Sequence, residues 1–382
     1  MRDRARALAV DDSKTMRNFL CACLEKAYET RSAADGREAL DVLEEFCPDV
    51  VLLDLDMPRM DGLEFIRRLR DRRADADTYV IVLSGHQEQD LKTKALNLGA
   101  NDYLTKPCHP EELMARVNVA VRQTSLTKEL RRAYAVIREE IRLVSDLQTR
   151  LLPRKSPIVP GARVRSLYRP SGEASGDYYD YFLLRDGALR LIMADVSGKG
   201  ARAAFVMGIV QSYFRSAGST GRSLTETLGM LNARLLQVFE DSPDFLTIFA
   251  ADYDPASRRL EYVNAGHCPG LVLPLSGDFG EAGELPALNP PAGFFEQEFA
   301  SRTIVLEPGA RLFLYTDGFY EWEAPNGEMS DIDAFIEASL EFFAQGGMEL
   351  QDLYAKIRDM AGGDGAFRDD LTALVLSVEP TG

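Results

Sequence analysis

Histidine, cysteine and tryptophan are scarce in this chain: three, five and one among 382 residues. The cysteines (Cys21, Cys23, Cys47, Cys108 and Cys268) are odd in number and scattered, and none stands at zinc-type spacing from a histidine. That pattern excludes a disulfide framework and a Cys/His zinc centre and points to reduced thiols in a cytosolic protein. Positive charge is also short, with 44 Lys and Arg against 60 Asp and Glu and a net charge of -16. Such a balance argues against nucleic acid or an anionic membrane as a partner. No apolar run approaches the roughly 20 residues needed to cross a bilayer. The start, MRDRARALAVDDSK, carries basic residues but no long apolar region behind them, so the expectation is a cytoplasmic, unanchored protein. No Ser-His-Asp set and no Ser, Cys or Lys in a nucleophile-elbow context is evident.

What the chain has is acid at the ends of apolar segments. Residues 5–122 alternate strand-like and helix-like stretches. VVLLDL (50–55) and YVIVLS (79–84) are continuous apolar runs of the kind found in central parallel strands. ARALAV and NDYLTK (101–106) are shorter strand candidates, and 13–27 has a helical apolar face. Repeated βα units predict a doubly wound parallel sheet. Asp11, Asp12, Asp54, Ser84 and Lys106 each fall at the C-terminal end of a strand, the edge where open α/β sheets bind ligands. Three carboxylates and a lysine there make a Mg²⁺ site beside a phosphate-binding cation, with one carboxylate available as a nucleophile toward phosphorus.

These residues resemble a response-regulator receiver domain of flavodoxin-like fold. The match rests on the early DD, on LLDLDMPRMDG (52–62), on Ser84 and on the KP at 106–107. The resemblance implies that Asp54 is the phosphoacceptor. It implies that Asp12 binds Mg²⁺ directly, Asp11 supports it through water, and the Asp56 carbonyl adds a ligand. Ser84 and Lys106 would meet the phosphoryl group, and Tyr103 would be the aromatic switch residue alongside Ser84. Pro107 matches a proline that often follows a cis peptide bond. A cognate histidine kinase is the implied phosphodonor.

From about 122 to 152 the pattern becomes one long helix without Gly or Pro until Pro153. Leu126, Leu130, Ala133, Ile137, Val144, Leu147 and Leu151 follow four-three spacing, interrupted at Glu140. This is a heptad seam of about four repeats. It predicts a parallel coiled coil that makes a homodimer, against the alternative of a single amphipathic helix packed on its own domain.

Beyond Pro153 the reading is α+β: antiparallel strands and a few helices, giving a β-sandwich flanked by helices. Strand candidates are 188–196, 245–253, 258–266, 310–318 and 371–378. Helices are expected over 201–216, 223–239, 331–343 and 350–360. Acids again mark the ends: Asp177 in SGDYYD, Asp195 in ADVSGKG, Asp317 in YTDGF, and Asp369 and Asp370 in RDDLT. Carboxylates without a side-chain nucleophile fit a two-metal hydrolase in which water attacks.

SGDYYDY, DVSGKGARAAFVM, NAGHCP, LYTDGFYE and DDLTALVL resemble, in order, the SpoIIE/RsbU-like branch of the metal-dependent PPM serine/threonine phosphatases. The resemblance implies two Mn²⁺ or Mg²⁺ ions. Asp195 would bridge them and the Val196 carbonyl would contribute to one. Asp317 and Asp369 would complete the other shell, with Asp370 as the alternative to Asp369. Asp177 would hold a metal or its water. Ser175, Arg202 and Cys268 depart from residues common in that family, and Ser175 in place of glycine predicts a tighter turn and slow turnover. His267 is expected to be structural.

The domain reading is a receiver over 1–122, a helical linker over 123–152 and a phosphatase domain over 153–382. The function expected is a two-component response regulator whose phosphatase output is controlled at Asp54 and acts on a phosphorylated anti-sigma-factor antagonist. The alternative is a pseudophosphatase adaptor that binds a partner protein under receiver control.

Overall fold

The computed structural model describes residues 4–71, 77–85, 89–172, 174–240, 242–274, 283–323 and 329–380. The chain divides into two compact units, Met1–Ile137 and Arg138–Gly382.

The first unit is a parallel five-stranded sheet in the order β2-β1-β3-β4-β5. Its strands are β1 (Arg6–Val10), β2 (Glu29–Ala33), β3 (Val50–Asp54), β4 (Tyr79–Ser84) and β5 (Asp102–Thr105). Helices α1 (Lys14–Leu24), α2 (Gly36–Phe46), α3 (Gly62–Asp71), α4 (Gln89–Asn97) and α5 (Pro110–Leu151) follow the strands in turn. Alternate residues serve opposite faces, as the strand period of two requires. Leu8, Val10, Val51, Leu53, Val80 and Val82 pack with α2 and α3. Ala7, Ala9, Val50, Leu52, Ile81 and Leu83 pack with α1 and α5. The sequence pattern misses β2 because ETRSA is a polar edge strand with one buried residue, Ala33.

The helix expected from about residue 122 starts at Pro110 and is continuous to Leu151, because proline suits the first helical turn and nothing inside the segment breaks it. Within the first unit α5 is held by Thr124 Oγ1, which donates to Asp49 O at 3.2 Å, and by Lys128 Nζ, 2.5 Å from Asp49 Oδ1. Leu126, Leu130, Ile137 and Leu147 are each more than half exposed.

The second unit is a sandwich of two antiparallel sheets, β13-β10-β9-β8-β7 and β12-β11-β14-β15-β6. The strands of the first are β7 (Asp177–Leu183), β8 (Leu189–Val196), β9 (Leu246–Asp254), β10 (Arg259–Ala265) and β13 (Arg302–Val305). Those of the second are β6 (Ala162–Arg169), β11 (Gly270–Leu273), β12 (Gly283–Leu285), β14 (Arg311–Tyr315) and β15 (Leu371–Val378). Helices α6 (Ala201–Thr220) and α7 (Leu224–Val238) cover the first sheet, and α8 (Ile332–Ala344) and α9 (Leu350–Ala361) cover the second. On β14, Leu312 and Leu314 face the inter-sheet core while Phe313 and Tyr315 face α8 and α9. Asp177, one of the acids expected to mark an end, is the first residue of β7, because a buried tyrosine-rich segment follows it directly.

Across β8 and β9, Arg190 stands directly opposite Asp252. Its Nε and Nη2 donate to the two carboxylate oxygens at 2.7 Å each, with the arginine side chain wholly buried. Asp252→Ala is expected to cost about 3–5 kcal/mol in denaturant unfolding, since it leaves a buried charge uncompensated. Arg190→Met/Asp252→Leu should recover most of that loss; a double variant no more stable than Asp252→Ala refutes the account.

Candidate functional site

In the receiver-like unit the neighbouring strands β1, β3, β4 and β5 end on one edge. Asp11, Asp12 and Asp54 each offer a carboxylate oxygen, and these oxygens lie within 4.8 Å of one another. Lys106 Nζ sits 2.7 Å from Asp11 Oδ2 and 2.9 Å from Asp54 Oδ2. Burial pushes the Asp54 carboxyl above the usual range, and Lys106 pulls it back. Burial alone would lower Lys106, but Asp11 and Asp54 outweigh it and hold the ammonium more firmly protonated. The Ser84 hydroxyl is buried and has no hydrogen-bond partner among the described residues, an orphan that an arriving oxygen acceptor would satisfy. Asp56 is exposed in the loop after β3. Tyr103 lies outward, 39% exposed, with the Lys92 ammonium 5.1 Å from its ring centre. The Lys106–Pro107 bond is cis.

In the sandwich unit the acids come from four chain segments. Asp177 and Asp195 are opposite one another across β7 and β8. Asp317 follows β14 and opens a short 3-10 turn, and Asp369 and Asp370 immediately precede β15. Asp195 and Asp317 line a cleft of ≈ 250 Å³ with Thr247, His267, Cys268 and Tyr320. Burial, followed by the charges of Asp317, Asp369 and Asp370, pushes Asp195 up to about 8. Burial and the neighbouring Glu321 and Asp369 push Asp317 up to about 6. Asp177 is raised well above the carboxylate range by burial and then by Asp195. The acids are therefore near enough to repel, but no three of their oxygens close to within 4.8 Å as the receiver's do.

Partners set each carboxylate. Asp177 Oδ2 accepts from Thr316 Oγ1 at 2.8 Å and from Thr372 Oγ1. Asp370 is enclosed: Oδ1 accepts from Ser171 N at 2.7 Å, and Oδ2 accepts from Gly176 N at 2.9 Å. Asp369 is more open, and its Oδ1 meets Asp370 N at 2.8 Å and Lys199 Nζ at 2.8 Å. Two close approaches demand glycine. A Cβ at Gly318 would lie 2.0 Å from Asp370 O, and one at Gly176 2.9 Å from Asp195 Oδ1.

His267 is buried, its Nδ1 3.0 Å from Thr247 Oγ1, and burial pushes it down to about 4, so it is neutral at pH 7. Ser175 Oγ accepts from Asp177 N at 3.0 Å, Arg202 pairs with Asp244 at 2.9 Å, and Cys268 Sγ lies 3.4 Å from the Tyr320 hydroxyl. Sequence reasoning missed Thr316, Thr372, Ser171 and Lys199. The available signal was threonine beside aspartate in YTDG and DDLT; nothing local marks Ser171.

The family model for Stage II sporulation protein E (SpoIIE) matches residues 185–379, and that for the response regulator receiver domain matches 7–118. Response regulator MprA of Mycolicibacterium vanbaalenii is 41% identical over 121 residues, 31% of this chain and 52% of that protein. Phosphate regulon transcriptional regulatory protein PhoB of Pseudomonas aeruginosa is 38% identical over 118 residues, again 31% of this chain and 52% of that protein. The chain thus spans about half the length of the curated relatives it matches. The SiaA PP2C domain of Pseudomonas aeruginosa, 18% identical, aligns with a TM-score of 0.54 over 64% of this chain and 98% of that one, a likeness of fold. With a SpoIIE match over half its length and a receiver match ahead of it, the chain belongs to the SpoIIE family and carries an N-terminal response regulator receiver domain.

Proposed function

We propose that this protein is a response regulator whose output is a metal-dependent protein serine/threonine phosphatase, controlled by phosphorylation of Asp54. The observation that carries the reading is the convergence of Asp177, Asp195, Asp317 and Asp369 from both sheets around one polar cleft lined by Asp195 and Asp317, with the carboxyl groups of Asp177, Asp195 and Asp317 raised by burial and by one another's charge. An all-oxygen donor set of this charge fits hard divalent cations, Mg²⁺ or Mn²⁺. When bound, they supply Lewis acidity toward a phosphoryl oxygen and a water of lowered pKa. The chain's own part is to hold the ligands. Asp195 lies between the acids of the two sheets and is suited to bridge, with the Val196 carbonyl beside it. Asp317 lines the cleft from the second sheet, and Asp369 is near enough for its charge to act on Asp195 and Asp317. Asp177 is oriented by the two threonines. Asp370, with both oxygens on backbone N–H groups, acts as a brace, which leaves Asp369 as the ligand. Lys199 adds a positive charge at the rim.

In the receiver, Asp11, Asp12 and the Asp56 carbonyl would hold Mg²⁺ beside Asp54. An Asp54 oxygen attacks the phosphorus of a kinase phosphohistidine, the P–N bond breaks, and an acyl phosphate forms. Lys106 and the unpartnered Ser84 hydroxyl then take phosphoryl oxygens, and Tyr103 responds to Ser84. The exposed seam of α5 supports pairing of two copies. The family resemblance points to a phosphoserine or phosphothreonine of an anti-sigma-factor antagonist as substrate.

Hydrolysis of an aryl phosphate with Mn²⁺ or Mg²⁺, before and after beryllofluoride, tests the assignment. Asp195→Asn should lower turnover by at least about 100-fold, the upper end of what even an outer-shell partner costs; full activity in that variant ends the metal-site reading. Asp54→Asn should abolish the response to beryllofluoride while leaving basal turnover in place.

Metal uptake should be proton-coupled. Asp195 at about 8 and Asp317 at about 6 hold protons that a cation must displace. Mn²⁺ affinity measured by calorimetry should therefore rise as pH increases from 6 to 8, with proton release; a flat profile contradicts this. Thr316→Val and Thr372→Val, which strip donors from the Asp177 carboxylate, should each weaken Mn²⁺ binding by roughly 10–100-fold. An unchanged Mn²⁺ isotherm in both variants removes these threonines from the site.

A further inference from the structure

Gln148 lies near the C-terminal end of α5 and is 2% exposed. Its amide meets the backbone of one residue on both sides: Nε2 donates to Ser175 O at 2.8 Å, and Ser175 N donates to Oε1 at 3.2 Å, while Nε2 also lies 2.8 Å from Met207 Sδ. A side-chain amide that meets both backbone groups of a residue holds the two peptide groups flanking that residue in position and in orientation. A buried glutamine of this kind is costly unless fully paired, so the arrangement is specific to this turn.

Ser175 begins the turn that organises the acids. Its Oγ accepts from Asp177 N at 3.0 Å. The next residue, Gly176, donates to Asp370 Oδ2 at 2.9 Å and accepts from Val196 N at 3.1 Å. There is no slack around it, because even a Cβ on Gly176 would lie 2.8 Å from Val196 O and 2.9 Å from Asp195 Oδ1. A displacement of Ser175 is therefore passed to Asp177, Val196, Asp195 and Asp370 together.

We propose that Gln148 is a positioning residue of the metal site: by clamping the Ser175 peptide it sets the turn from which Asp177 and Asp195 face the cations. The end of α5 is on this account part of the catalytic unit, not a tether ahead of it. The inference rests on the assignment of Asp177 and Asp195 as metal ligands.

The test uses the full chain carrying Asp12→Asn, so that the receiver site contributes no metal binding. Gln148→Met keeps the side chain's size and removes both hydrogen bonds to Ser175, along with the contact to Met207 Sδ. Mn²⁺ affinity by calorimetry should fall by roughly 10–100-fold, as for loss of an outer-shell partner. The Mn²⁺-induced rise in melting temperature should shrink with it. Gln211→Met is the control. It removes the 2.7 Å bond from Gln211 Nε2 to Leu151 O, which anchors the same helix end without touching Ser175, and it should retain the parent's Mn²⁺ affinity. Parental affinity in Gln148→Met, or an equal loss in Gln211→Met, overturns the proposal. If Gln148→Met does not fold, Gln148→Glu, which keeps the acceptor for Ser175 N–H and loses the donor, provides the same comparison. A parent that binds no Mn²⁺ instead overturns the metal-ligand reading itself.

Discussion

Like charges held close together away from water are the constraint on which the sandwich unit is built. Asp177, Asp195, Asp317, Asp369 and Asp370 reach one region from four segments, and their mutual repulsion appears in the raised pKa values of three of them. Desolvation and like charge both favour the protonated form, so the fold must supply compensation. It does so with donors chosen for each acid: two threonine hydroxyls for Asp177, backbone N–H groups for Asp370, and the Lys199 ammonium for Asp369. The sheet registers serve the same end. Asp177 opposite Asp195, and β14 beside β15, bring the strand ends to one rim of the sandwich.

The receiver-like unit solves a related problem differently. Its three carboxylates draw within 4.8 Å because Lys106 stands between Asp11 and Asp54 as an internal cation. One half-buried positive charge pairs with two acids of a tight cluster, whereas Lys199 of the sandwich cluster is half exposed and meets Asp369 and the Arg368 carbonyl.

Helix α5 belongs to both units by its residues. Thr124 and Lys128 bond Asp49 in the first, and Gln148 and Leu151 bond Ser175 and Gln211 in the second. A heptad reading of this segment sees only the apolar positions. The polar side chains between them carry the attachments, and Gln148 is spent on the turn that shapes the acid cluster.

The apolar runs determined much of this protein without a structure. YVIVLS and LTALVLSV are strands at the residues expected, because a strand buried on both faces must be apolar throughout. The order of acids at strand ends already named both clusters. Segments whose burial is decided by neighbours were not legible: ETRSA as an edge strand, β6 and β11 to β13 as sheet partners, and Asp177 inside a strand. Nor could the sequence separate Asp369 from Asp370, which are adjacent and chemically identical. Only the tertiary structure distinguishes them, by folding Ser171 and Gly176, 199 and 194 residues away in the chain, onto Asp370 and leaving Asp369 more exposed and paired with Lys199. Local pattern fixes which residues are acidic and where strands end; long-range hydrogen bonding decides which acid is enclosed and which remains open to a ligand.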